Sequence, residues 1–170
     1  MKYIVLLRGI NVGGKRKILM KDLTALLEKN KYQNVITYIQ SGNMVLESSE
    51  KSTSTIACHI SDLINTTYGF DVPTLVLREN DLLELIEDQP FQSIEDIKLL
   101  HITILKDPVG AIDIDATEVQ RVRDTVFLYC PNGYSKTKYG NTFFEKKLRC
   151  QATTRTWKTI LKLQELASPD

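Results

Sequence analysis

Five consecutive apolar residues, Tyr3 to Leu7, stand near the start of the chain and predict a strand covered on both faces. A glycine-rich loop follows from Gly9 to Gly14, and Leu23, Leu26 and Leu27 then mark one face of a helix. Val35 to Gln40 and Met44 to Glu47 read as two strands around Ser41-Gly42-Asn43, a hairpin-turn signal. Ile56, Ile60, Leu63 and Ile64 recur at helical spacing, and Gly69 is placed to stop that helix. Val72 to Leu77 is a strand again, with Pro73 confining it to a sheet edge. The order β-α-β-β-α-β is that of the ferredoxin-like, or α/β-plait, unit, whose strand order 4-1-3-2 puts the unbroken first strand centrally.

Beyond Arg78 the pattern repeats imperfectly. Asn80 is placed to cap a helix carrying Leu82, Leu83 and Ile86, and Leu99 to Leu105 reads as a strand. Residues 106–118 form an acidic connection with a short helix expected near Asp115. Thr125 to Cys130, the turn Pro131-Asn132-Gly133 and a strand from Tyr134 suggest a second hairpin. Asn141 opens one helix (Phe143, Phe144, Leu148), and Thr154 opens another (Trp157, Ile160, Leu161, Leu163), with Trp157 read as core. The expected architecture is therefore α+β, with two plait-like halves, 1–77 and an irregular 78–170. No low-complexity linker separates them, so they are expected to pack as one body.

Composition changes this picture little. With 170 residues, 42% apolar and 25% charged, the chain can bury roughly 70% of its unfolded surface without a disulfide or metal staple. Cys58, Cys130 and Cys150 are odd in number and widely spaced, which argues for free thiols in a reducing cytoplasm. No run approaches the ~18 apolar residues of a membrane span. A soluble, cytoplasmic protein with no membrane partner is the expectation.

Candidate chemistry lies at one edge of the first sheet. In the plait topology the first strand ends beside the tip of the hairpin joining strands two and three. Arg8-Gly9-Ile10-Asn11-Val12-Gly13-Gly14-Lys15 should therefore meet Gln40-Ser41-Gly42-Asn43. Backbone N–H groups of such a loop and a following helix N-terminus can hold an anion. Arg8 and Lys15 would add charge-assisted contacts. The loop is neither a Walker A motif nor G-x-G-x-x-G. Arg155, read at a helix start, is unfavourably placed for a cation, which suggests either a bound anion or a salt bridge to the acidic middle.

Residues 6 to 15, Tyr38 to Asn43, and Phe144 through Trp157 closely resemble a bacterial family catalogued as domain of unknown function 1697. Asn11, Gly13, Gly14, Ser41, Gly42, Asn43 and Arg155 match its recurring positions. The resemblance implies two α/β-plait subdomains and implies no activity.

The residues assign no catalytic group, cofactor or metal. His59 follows Cys58 within a helix, so the two side chains diverge. His101 lies within a strand and reads as structural, and Glu84, Glu87 and Asp88 read as a solvated helix face. The primary expectation is binding of a small phosphorylated or nucleotide-like anion by Arg8, Asn11, Gly13, Gly14, Lys15, Gln40, Ser41, Gly42, Asn43 and Arg155. The alternatives are a nucleic-acid-binding module working through basic loops, and a protein-protein adaptor without a ligand. Sheet-face RNA recognition is disfavoured, because Met44-Val45-Leu46-Glu47 offers no aromatic. Whether the protein is an enzyme, and in what oligomeric state, the sequence leaves open.

Charge gives the anion its main support. The formal net charge is only +1, yet residues 1–21 hold six basic residues and no acid. Residues 134–163 hold eight basic residues and one acid, whereas 79–118 hold eleven acids and two lysines. Both basic stretches coincide with the distinctive motifs, and pairing with the acidic middle is the intramolecular alternative to a ligand.

Overall fold

The computed structural model describes residues 1–91, 93–114 and 117–168. The chain divides into two compact units, Met1–Leu83 with Leu163–Asp170, and Glu84–Lys162. In the first, β1 (Lys2–Leu7), α1 (Met20–Lys29), β2 (Gln33–Tyr38), β3 (Asn43–Glu47), α2 (Thr53–Tyr68) and β4 (Thr74–Arg78) form one antiparallel-paired sheet in the order β2-β3-β1-β4. The expected plait is present, with β1 central and β4 at an edge. Pro73 lies just before β4, where its missing N–H breaks no ladder bond.

Alternation on β1 explains how the sheet is filled. Tyr3, Val5 and Leu7 join Met44 and Leu46 beneath the helices, where Leu23 and Leu27 of α1 and Ile56, Ile60 and Ile64 of α2 meet them. Ile4 and Leu6 point to the other face and are equally buried. Each such aliphatic side chain contributes roughly 1.5–3 kcal/mol of burial. Ser52 caps α2 by accepting from the Thr55 amide at 3.2 Å, and Gly69 ends it in the left-handed conformation, as expected.

The second unit pairs β5 (Leu100–Lys106), β6 (Val119–Val122), β7 (Thr125–Tyr129) and β8 (Gln151–Thr156) in the order β6-β7-β5-β8, with α4 (Asn141–Leu148) between β7 and β8. Counted from its own first strand, this is the same order as in the first unit. The counterpart of α1 is missing among the described residues: the connection 107–118 carries Ile112 and Ile114 onto the core instead. The short helix expected near Asp115 falls outside the described residues. Two more helices, α3 (Glu79–Glu87) and α5 (Trp157–Ala167), span the division between the units.

Three expectations about the second half are corrected. The hairpin joins β6 to β7 through Arg123, at φ 53°, rather than turning at Pro131-Asn132-Gly133. Tyr134 starts a 3-10 turn, Tyr134–Lys136, not a strand, because its ring turns inward and stacks on His101 at 4.8 Å. Thr153-Thr154-Arg155 lies within β8, whose β-branched threonines suit a strand. The helix begins at Trp157, and the capping hydroxyl is that of Thr156, which accepts from the Thr159 amide at 3.3 Å.

Candidate functional site

The Gly9–Gly14 loop folds back on itself. Val12 and Lys15 form an isolated bridge, and the Asn11 amide donates to the Arg16 carbonyl at 3.1 Å. Gly13 and Gly14, both at positive φ (58° and 73°), make the turn of this small hairpin, as a type I′ connection requires. Ile10 and Ile18 are buried at its base. The glycines therefore do not open a helix: α1 starts at Met20, and no side chain caps it.

Asn11 fixes the hairpin to the sheet. Its side chain donates to the carbonyls of Ile18 (2.9 Å) and Gln40 (2.8 Å) and accepts from the Ile18 amide (2.9 Å). The β2–β3 turn meets the end of β1 directly, since the Leu7 amide donates to the Gly42 carbonyl at 2.8 Å. A Cβ on Gly42 would stand 2.7 Å from Leu7 Cβ and 2.8 Å from Ile10 Cδ1, and φ is +79°. Asn43 is buried and donates to the Tyr38 carbonyl and the Ser41 hydroxyl.

The two motifs thus meet as the topology required, but the inward residues are used in joining them. Asn11, Gly42 and Asn43 build the junction. Gly13, Gly14, Lys15 and Gln40 face solvent, and Arg8 is half-buried, its amide donating to the Pro73 carbonyl. Arg16 and Lys17, which motif reasoning passed over, complete a run of three exposed cations. None of Lys15, Arg16 and Lys17 forms an ion pair among the described residues. Arg16 lies 6.0 Å from the Phe70 ring centroid. Val12 and Leu19, each 67% exposed, flank the run.

Arg155 belongs to the second unit. It pairs with Ile102 in the sheet, and its Nη1 donates to the Thr154 carbonyl at 2.9 Å. Burial pulls its pKa down to about 10. The helix-start argument for an anion at Arg155 therefore falls away.

A second polar group in the first unit escaped sequence reasoning, because its members come from three separate segments. The Tyr32 hydroxyl and His59 Nδ1 are 2.9 Å apart beside Ser48 and Glu50, around a cavity of about 160 Å³. Burial and then the charge of Glu50 push the Tyr32 phenol up to about 12. A phenol that stays protonated at neutral pH is no base. Among the described residues no group of three or more His, Cys, Asp or Glu side chains is placed to hold a metal, and no helix is long and apolar enough to cross a membrane.

The match that decides the family covers most of the chain: the profile described as protein of unknown function, DUF1697, matches residues 1–130. The chain belongs to DUF1697. The hairpin and both glycine turns fall within the DUF1697 match. A conserved bacterial protein from Streptococcus pneumoniae has a similar structure, with a TM-score of 0.69 and 22% identity over 98% of each chain. That likeness concerns the fold. No curated protein matches the chain.

Proposed function

We propose that the first unit binds phosphate groups through the hairpin 12–17, and that its ligand is the phosphodiester backbone of a nucleic acid. One observation carries the reading: Lys15, Arg16 and Lys17 are consecutive, exposed and without acidic partners on a hairpin whose base Asn11 locks. Locking the base lowers the ordering entropy that three long cationic side chains on a loose loop would add to. The tip stands in open space, since a Cβ at Gly13 or Gly14 would meet nothing within 4 Å. Small-molecule sites are concave, whereas a projecting basic hairpin can lie along a polyanion. Exposed Val12 and Leu19 offer apolar surface to sugars or bases.

A small phosphorylated molecule shares this phosphate chemistry. It is favoured by the exposed glycine backbone, whose successive positive-φ residues can form an anion-binding nest. Fluorescence anisotropy with a short labelled oligonucleotide, competed by a free nucleoside triphosphate, separates the two. Oligonucleotide binding should weaken with salt at a log–log slope of about −2 to −3, and K15A/R16A/K17A should bring that slope near zero. Equal affinity for the free nucleotide would transfer the site to small molecules. No binding of either at ~50 mM salt would overturn the phosphate reading.

A further inference from the structure

The segment between β7 and α4 is anchored far more firmly than a connecting loop requires. The Thr154 hydroxyl donates to Asn141 Oδ1 at 2.7 Å, which leaves its oxygen to accept from Tyr134 (3.1 Å) and Thr103 (2.7 Å). One proton and two lone pairs are then all used. The Tyr134 ring stacks on His101, and Tyr139 is buried. Backbone bonds continue the pattern, from the Gly133 amide to the Cys130 carbonyl (2.9 Å) and from the Lys136 amide to the Gly133 carbonyl (3.1 Å). A loop held by a half-buried polar network on a sheet is the usual support of a binding site.

That loop lines a half-open pocket of about 300 Å³ together with Glu118 and the end of β7, at the lower end of the ~300–1,000 Å³ range of ligand sites. Tyr129, Cys130 and Tyr139 give it an apolar wall. Glu118 and Lys136 bring opposite charges to the same lining, and neither is ion-paired among the described residues. The Cys130 thiol registers this environment: burial first, and then the Glu118 carboxylate, push its pKa up. The thiol is therefore an inert part of the wall rather than a nucleophile. Thr137, also in the lining, is held by accepting from the Tyr139 amide at 3.2 Å.

We propose that this cavity in the second unit binds a small zwitterion with an apolar body, of the free amino acid class. Glu118 receives the ammonium group, Lys136 the carboxylate, and the wall around Cys130 and the tyrosines the side chain. The site is separate from the basic hairpin and does not depend on its reading.

The test is an NMR titration of the isotopically labelled full chain with each of the free amino acids, up to ~10 mM. The amides of Gly133, Lys136 and Thr137 report. At least one amino acid with an aliphatic or aromatic side chain should shift these amides saturably. Glu118→Gln and Lys136→Met lie at the surface and should leave thermal unfolding unchanged, yet each should weaken the titration about tenfold. The matching amine, lacking the carboxylate, should bind more weakly to the native chain and equally to Lys136→Met. The proposal is overturned if no amino acid moves these amides at that concentration, or if both substitutions leave the titration unaltered.

Discussion

The side-chain amide of Asn11 donates to the carbonyl oxygen of Gln40 at 2.8 Å, tying a hairpin from one end of β1 to the turn between β2 and β3. The two partners are 29 residues apart in sequence, so the bond is tertiary, and it makes one rigid edge from two glycine turns. Asn also suits the position for a second reason, since its φ is +55°, a conformation asparagine tolerates better than most residues.

Replacing Asn11 by Ala should lower stability by about 2–3 kcal/mol, because three hydrogen bonds lose their partner. Asn11→Gly should lose less than Asn11→Ala, since glycine carries no penalty at positive φ. Urea midpoints at constant m-value measure both. Equal losses would show that the backbone at this position is relaxed.

Gly42 and Gly13 share a positive φ but not their surroundings. A methyl group on Gly42 would run into Leu7 and Ile10, while one on Gly13 meets open space. Gly42→Ala should therefore cost about 3 kcal/mol or more, and Gly13→Ala about 1–2 kcal/mol. Thermal melts of the two variants side by side decide the matter.

Thr154→Val keeps the shape of the side chain and deletes the hydroxyl at the centre of the second unit's network. Tyr134 and Thr103 lose their acceptor and Asn141 its donor, which should cost about 2–4 kcal/mol. Hydrogen exchange should quicken across residues 130–141 and stay unchanged at the Asn11 hairpin. Uniform quickening would mean that the network stabilises the whole chain rather than this loop.

His101 supplies a pH dependence. Burial lowers its pKa from 6.5, and its contact with the Leu99 carbonyl only partly offsets that. A histidine harder to protonate when folded favours the native state while neutral. Its contribution is present above the unfolded pKa and is lost as pH falls through and below 6.5. His101→Phe keeps a ring against Tyr134 and should flatten the stability profile between about pH 7.5 and about pH 5. Denaturant midpoints that fall in parallel for both proteins would remove His101 as the cause.

The first unit was legible in sequence because its signals are local and strong. An unbroken apolar strand, helical spacing of Ile56, Ile60 and Ile64, and Gly69 as a stop each name one structure. The meeting of the two glycine motifs followed from topology alone. What periodicity could not convey was how the polar groups are used within the fold: Asn11 and Asn43 look like ligand contacts by residue type, and both also have hydrogen-bond partners in the junction. In the second unit the misread elements are short and polar. β6 reads Val-Gln-Arg-Val and β8 carries four polar residues after Ala152, so neither shows clear alternation. Thr154 resembled a helix cap because a threonine hydroxyl serves equally well to cap a helix or to anchor a polar network. Tyr134 resembled a strand residue because its aromatic ring favours strands, while its stacking on His101 depends on a residue 33 positions away.

The second sheet keeps the strand order of the first although its β5–β6 connection has no helix among its described residues. The strand order of the second unit thus coexists, among the described residues, with one crossover helix, α4. For protein engineering, the latitude in this crossover lies in its helix content and not in its anchors: the Val109 amide donates to the Leu148 carbonyl, Arg121 donates to the Gly110 carbonyl, and Ile112 and Ile114 pack on the core. The equivalent crossover in the first unit is anchored as well, because its opening residues form the hairpin that Asn11 ties down.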